Sequence, residues 1–327
     1  MTTALPRYRA LAFGVTRGLR RDAPDGTTYL QAEQPLAPHA HRLTDRLVHW
    51  ATVAPQRSFM ARRERLADGR TGDWQHLSYA DALDAARRIG QALLDRGLNA
   101  ERPVLIVSEN DLEHAQLALG CLYAGIPWAP ASPAYSLVSQ DFEKLRHIVT
   151  TLTPGLVFAS DAPRYERALM ATLGEDVEIV TTRGTVPGRA TTSFDALRAT
   201  RPTPAVDAAM QATGPDTIVK FLFTSGSTKL PKAVINTQRM WCANQQQMAQ
   251  SMPVLAEPDM PPVLVDWLPW NHTFGGNHNV GLTLMHGGTL YIDDGKPTPA
   301  LIGETLRNLR EIAPTVYFNV PTGFEAI

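Results

Sequence analysis

The chain has two cysteines in 327 residues, Cys121 and Cys242, far apart and without Cys-x-x-Cys spacing. That excludes a cysteine-based metal site and fits a reducing compartment such as the cytoplasm. Both read as core residues. Lysine is scarce as well: only Lys144, Lys220, Lys229, Lys232 and Lys296 stand among the 31 basic residues, and the rest are arginine. An excess of either charge is missing, since the formal balance is -1, and this argues against nucleic acid as the main partner. No apolar run reaches the length that a bilayer span requires.

What is present is an ordinary globular composition, 44% hydrophobic and 19% charged, enough for one large α/β domain or two smaller ones. The first 21 residues carry Arg7, Arg9, Arg17, Arg20 and Arg21 and no acid, superficially like an organelle transit peptide. The apolar patch Leu11 to Val15 is too short for a secretory signal, and residues 1–34 read as an N-terminal arm. From Pro35 to Ala54 the spacing of Leu43, Leu47, Trp50 and Ala51 predicts a helix. His39, His41 and His49 nearby read as surface or capping histidines.

Residues 77–160 define the fold class. Ser78 and Asp81 form a capping box, Tyr79, Leu83, Ala86, Gly90 and Leu93 follow helical spacing, and Gly97 closes the helix. A strand at Val104 to Val107, a helix from Asp111 to Ala124, an extended run Ile126 to Pro130, a helix from Asp141 to Leu152 and a strand at Leu156 to Ala159 follow. Alternating buried strands and helices predict an α/β fold with mostly parallel sheets flanked by helices, whose ligands collect at the carboxyl ends of strands. Residues 183–216 read as a connector with a helical insert at Phe194 to Arg198, dividing 35–327 into stretches 35–200 and 215–327.

The most telling segment is KFLFTSGSTKLPKAV, Lys220 to Val234. An apolar β-branched and aromatic run over 217–223 predicts a strand that passes into a loop of hydroxyls and glycine. Thr224, Ser225, Ser227 and Thr228 offer hydroxyls, Gly226 permits a sharp turn, and Lys229 and Lys232 offer positive charge, a composition suited to phosphate. A solvated turn between strand and helix meets the same composition. The segment is not a Walker A loop, because Lys232 lies between Pro231 and Ala233.

Beyond the loop, Thr237 to Gln250 reads as a helix with Trp241 and Met248 in the core and Asn244 to Gln247 on a polar surface unless that run lines a site. A strand at Val263 to Leu268 then delivers Trp270, Asn271, His272, Thr273 and Phe274 to its carboxyl end, ahead of Gly275 and Gly276. His272 also suits a capping role for the helix that Gly276 begins. The spacing of His272, His278 and His286 fits neither one helix face nor a finger, which argues against zinc. The remainder reads as a helix (Val280 to Met285), a strand (Thr289 to Ile292), a helix (Pro299 to Ile312), a strand (Thr315 to Asn319) and the start of a helix at Pro321.

Phe223 to Ala233 resembles the phosphate-binding motif of the adenylate-forming enzymes, the acyl-CoA and aryl-CoA synthetases and adenylation domains. One fixed position departs, Lys229 in place of glycine. HLSYADALDAARRIGQALLDRGL and GCLYAGIPWAPASPAYS are similar to two earlier motifs of that family, in the same order. The resemblance is nearest to the feruloyl-CoA synthase group, on KFLFTSGSTKLPKAVINTQRM and LPWNHTFGGNHN. It implies ATP phosphate binding by Thr224, Ser225, Gly226, Ser227, Thr228, Lys229 and Lys232, with Thr224 a candidate magnesium contact. It nominates His272 and Phe274, with Trp270 and Gly275, for the pocket of an aromatic carboxylic acid. ATP, Mg2+ and coenzyme A are the implied co-substrates and cofactors, and no nucleic acid is expected.

The family's adenine, ribose, hinge and lid-lysine motifs do not occur in the sequence. The reading is therefore an incomplete large domain over 35–327 without the C-terminal lid, expected to be inactive alone. Three other functions remain open on these residues. One is a ligase for a medium-chain fatty acid or benzoate, and another is a nucleotide-binding module without catalysis. The third is a phosphotransferase or ATPase with a magnesium site among Asp266, Asp293 and Asp294.

Overall fold

A computed structural model describes residues 11–15, 17–66, 70–224, 230–257 and 259–327, and two sheets of seven and four strands organise it. In the N-terminal arm, β1 (Gly18–Asp22) and β2 (Thr28–Ala32) form an exposed antiparallel hairpin of their own. The chain continues through α1 (Leu43–Val53), the hairpin β3 (Ser58–Arg65) and β4 (Thr71–Ser78), α2 (Tyr79–Asp95), β5 (Val104–Ile106), α3 (Leu112–Ala124) and β6 (Trp128–Pro130). Next come α4 (Ala134–Leu137), α5 (Glu143–Leu152), β7 (Leu156–Asp161), α6 (Ala162–Thr172), β8 (Glu178–Arg183), β9 (Thr191–Ser193), α7 (Phe194–Arg198) and α8 (Pro204–Ala212). The last third holds β10 (Ile218–Thr224), β11 (Lys232–Thr237), α9 (Gln238–Ser251), β12 (Val263–Asp266), α10 (Val280–His286), β13 (Thr289–Ile292), α11 (Ile302–Ile312) and α12 (Pro321–Glu325).

The seven-stranded sheet runs β11-β10-β6-β5-β7-β8-β9 and is parallel throughout except for the β10–β11 pair. The four-stranded sheet runs β12-β13-β3-β4, with only β3 and β4 antiparallel. It takes strands from both 35–200 and 215–327, because β13 pairs with β3 at Leu290 and Met60. The α/β class with mostly parallel sheets expected from the alternation of elements is the observed one.

Local chemistry explains how the helices are placed. The Ser78 hydroxyl accepts the Asp81 amide at 3.1 Å and donates to the Asp81 carboxylate at 2.6 Å, which starts α2 and turns its apolar face inward. That face buries Tyr79, Ala82, Ala86, Ile89 and Leu93, and each of the larger aliphatic side chains contributes ~2 kcal/mol. Asp111 accepts the His114 amide at 2.6 Å and starts α3 in the same way. The two helices lie very close, and glycine is needed at the crossing: a Cβ on Gly120 would stand 2.5 Å from Ile89 Cγ2. Cys121 and Cys242 are buried, as their composition suggests.

Three expectations change. Residues 183–216 are not only a connector: β9 extends the large sheet, and α8 buries Val206 and Met210. Residues 232–237 form β11, antiparallel to β10, before the helix begins at Gln238. Thr315 to Asn319 is not a strand. Among the described residues its amides reach only Val263 O, from Thr315 at 3.1 Å and Val316 at 3.4 Å, and the Asn319 side chain binds Trp267, Tyr317 and the Val320 amide instead of leaving the backbone to build a ladder.

Candidate functional site

The strand β10 lies between β11 and β6 and is covered on both faces, which accounts for its nearly unbroken apolar sequence. It ends at Thr224, which is exposed and stands opposite Lys232, also exposed, in the antiparallel register. Ser225, Gly226, Ser227, Thr228 and Lys229 lie outside the described residues. On the return side, His147 of α5 sits with Nε2 3.0 Å from Pro231 O. The loop's two flanks are thus fixed, one by the sheet and one by a side chain from a neighbouring helix.

The second segment begins where β12 ends. Asp266 is buried, with one carboxylate oxygen accepting the Leu268 amide at 3.0 Å, and burial pushes its pKa up to about 7. Asn110, from the β5–α3 loop, donates to Leu268 O at 2.9 Å and accepts the Trp270 amide at 3.1 Å, tying the end of one sheet to the other. The chain then folds back as a π-helical turn, Phe274–Asn279, leading into α10. Two glycines make this reversal feasible: a Cβ at Gly275 would stand 2.5 Å from Leu268 O, and one at Gly276 would stand 2.2 Å from Trp270 O.

The nominated pocket residues take different positions. Trp270 is buried, 4.9 Å centroid to centroid from His114, and lines a small apolar cavity of about 40 Å³ that also touches Lys220, Trp128 and Trp241. His272 is exposed; its Nδ1 accepts the Phe274 amide at 3.3 Å and its carbonyl accepts Gly276 N–H at 2.8 Å, the geometry of a cap. Phe274 is half-buried and makes an aromatic cluster with His278 at 5.2 Å and Phe318 at 6.3 Å. Gly275 is buried within the turn.

The hairpin and the turn touch directly. Lys220 Nζ donates to Gly276 O at 2.9 Å, and Asn277 Nδ2 donates to Asn236 Oδ1, on β11, at 2.9 Å. Trp241 Nε1 and Gln245 Nε2, both on α9, donate to Asn277 O at 2.9 and 3.0 Å. Gln245 is fully buried, so at that position the run is not polar surface: its Nε2 donates to the Asn277 carbonyl of the turn. Sequence reasoning also passed over Lys220, although a lysine inside an otherwise apolar strand is itself a signal.

Beside these segments a cleft of about 610 Å³ opens at the carboxyl ends of β5, β6, β12 and β13, with Ser132, Pro133, Pro269 and Asn271 in its wall. His114 lies between it and the small cavity. Thr224, Lys232, His272 and Phe274 do not line it. Of the carboxylates considered for magnesium, Asp293 and Asp294 line this cleft and are held by protein groups. Asp293 accepts from Gly295 N, Asn308 Nδ2 and Thr305 Oγ1. Asp294 bridges Arg62 at 2.8 Å and Arg65 at 2.9 Å. Among the described residues no group of three or more His, Cys, Asp or Glu could hold a metal ion, and no helix is long and apolar enough to cross a membrane.

A doubly covered, mostly parallel sheet, with a glycine turn tied to two of its strands through Lys220 and Asn236, defines the α/β class of the chain. The chain belongs to the AMP-binding enzyme family, which matches residues 47–327. It is 24% identical over 268 residues to the long-chain-fatty-acid–CoA ligase ACSBG1 of Bos taurus, covering 79% of this chain and 35% of that protein. It is 28% identical over 240 residues to a salicylyl-CoA synthase / salicylate adenylyltransferase of Streptomyces sp, covering 70% of this chain and 42% of that one. Among solved structures, a putative long-chain-fatty-acid CoA ligase from Rhodopseudomonas palustris CGA009 superposes with a TM-score of 0.67 at 18% identity, over 88% of this chain and 65% of that one. A fatty acyl-adenylate ligase from L. pneumophila, in complex with acyl adenylate and pyrophosphate, gives 0.60 at 20% identity, over 84% and 42%. The chain spans 35% of the length of the ACSBG1 relative.

Proposed function

We propose that this chain is part of an ATP-dependent carboxylate–CoA ligase whose acid is ferulate or a related hydroxycinnamate. A carboxylate oxygen attacks the α-phosphorus of Mg-ATP, the bond to pyrophosphate breaks, and an acyl adenylate forms. The coenzyme A thiolate then attacks the acyl carbon and AMP leaves. Magnesium would enter with ATP as part of the substrate, and Thr224 would offer it a hydroxyl.

The observation that supports this reading is the contact of Lys220 with Gly276 and of Asn236 with Asn277, which joins the middle of the β10–β11 pair to the turn that follows His272 and Phe274. Charge accumulates on departing pyrophosphate. The amides and hydroxyls of Ser225, Gly226, Ser227 and Thr228 and the ammonium groups of Lys229 and Lys232 would stabilise it, and a single preorganised donor in such a role contributes ~3 kcal/mol. The aromatic cluster of Phe274, His278 and Phe318 favours a flat ring as the acid's body, and Trp270 and Gly275 shape the turn that carries it.

A fatty acid is the second reading, and the ACSBG1 relatives favour it. The test traps the acyl adenylate with hydroxylamine, using the protein translated from its complete reading frame and ferulate, salicylate, benzoate, octanoate and palmitate in parallel. Hydroxamate from ferulate well above the others supports the proposal. Preference for octanoate or palmitate replaces it with the fatty-acid reading, and ATP binding without hydroxamate from any acid replaces it with a non-catalytic module.

A further inference from the structure

Three donors from two elements close on two successive carbonyls of the 274–279 turn. Lys220 of β10 takes Gly276 O, while Trp241 and Gln245 of α9 share Asn277 O. Only Lys220 brings a charge, and it is 2% exposed. Its ammonium lies 3.8 Å from the Trp241 ring centroid and 5.5 Å from that of Trp128, its in-register neighbour on β6. Burial lowers its pKa to about 7, while the two indole faces and the carbonyl favour the charged form. The titratable group that faces it is His114 of α3, which burial holds neutral with a pKa of about 4.

An apolar side chain of the same length would occupy this cage at a lower cost, since an ammonium without a carboxylate is costly to bury. Among the described residues its ammonium has one hydrogen bond, to the turn that carries Phe274 and His278. We propose that Lys220 is a positioning residue for acid binding: it fixes the Gly276 carbonyl to the strand that ends at Thr224 and so sets where Phe274 and His278 stand relative to the phosphate end of that strand. The proposal rests on the ligase reading above and deepens it. The cage couples the two substrate sites through one side chain.

The test compares wild type with Lys220→Met in the protein translated from the complete reading frame. Removing the buried ammonium raises the thermal unfolding midpoint, while KM for the acid rises about tenfold, kcat and KM for ATP stay within about twofold, and amides of residues 274–281 exchange with solvent about tenfold faster. A merely structural lysine would move stability and all kinetic constants in the same direction. Lys220→Gln, which keeps one N–H donor without the charge, falls between the two and serves if the Met variant does not fold. An unchanged acid KM in an active enzyme overturns the proposal and leaves the ligase reading standing. Should wild type form no adenylate with any acid, that reading fails, and unchanged amide exchange at 274–281 then overturns the role of Lys220 on its own.

Discussion

Asn110 holds Trp270 by its backbone, accepting the Trp270 amide at 3.1 Å while donating to Leu268 O at 2.9 Å. One side chain in the β5–α3 loop therefore clamps both sides of the peptide corner that opens the 268–279 segment. Asn110→Ala leaves a carbonyl and an amide to find other partners, and we expect a loss of ~2 kcal/mol in urea denaturation. Asn110→Asp keeps the acceptor but loses the donor, and about half that loss is expected. Equal stability of all three proteins would show that the corner holds itself.

The two glycines of the turn should be intolerant of a methyl group. Gly276→Ala places a Cβ 2.2 Å from Trp270 O, which has no room to retreat while Asn110 holds that residue's amide. A destabilisation of ~3 kcal/mol is expected. Gly303→Ala in α11 meets nothing within 4 Å and is the control; it should stabilise by ~0.5 kcal/mol through helix propensity. Chemical denaturation of the pair checks both signs.

Burial raises the pKa of Asp266 from 3.8 to about 7. Between those values the folded state holds a proton that the unfolded chain has released, so this group makes stability fall as pH rises from about 4 to 7. Lys220 acts oppositely at higher pH: its pKa falls from 10.5 to about 7, the unfolded chain binds the extra proton between them, and stability rises with pH across that window. Asp266→Asn keeps the acceptor for the Leu268 amide and removes the first slope. Denaturation midpoints from pH 4 to pH 7 should decline less in the variant than in wild type, and parallel curves would contradict the assignment.

Asp294 joins Arg62 and Arg65, and although burial alone would raise its pKa, the Arg62 and Arg65 guanidinium groups hold it below the usual carboxylate value. Asp294→Ala strands Arg62, whose side chain is 15% exposed, at an expected cost of ~3 kcal/mol. Because this carboxylate is structural, the magnesium concentration that half-saturates the reaction should not change in the variant. A large rise in that concentration would revive the phosphotransferase reading.

The fold was legible wherever local signals agreed with burial. Ser78 and Asp81, Asp111, and the apolar spacing of Tyr79, Ala86 and Leu93 act within one or two turns of chain, so sequence alone placed α2 and α3. β11 was not legible, because its residues Lys232 to Ile235 are exposed and its strand character comes from pairing with β10. The Thr315 to Asn319 segment misled in the other direction: β-branched and aromatic residues suit a strand, yet the side chains of Thr315 and Asn319 take the hydrogen bonds. At the candidate site, sequence singled out the stretch that follows β10, of which 225–229 lie outside the described residues, and the turn, but not the contacts that tie β10, β11 and α9 to that turn. Lys220, Asn236 and Gln245 lie 32 to 56 residues from the turn residues they touch, and only the folded sheet brings them together.

The central claim is that a polyphosphate sits after Phe223, beside an acid pocket at the 272–275 turn. The measurement that tests it most directly is ATP–pyrophosphate exchange with ferulate in the complete protein, comparing wild type with Lys232→Ala. The account predicts exchange that requires the acid and slows about tenfold in the variant, less than the loss of a fully preorganised donor because Lys232 is exposed to solvent. Exchange at the wild-type rate in Lys232→Ala, or exchange indifferent to added acid, would contradict it.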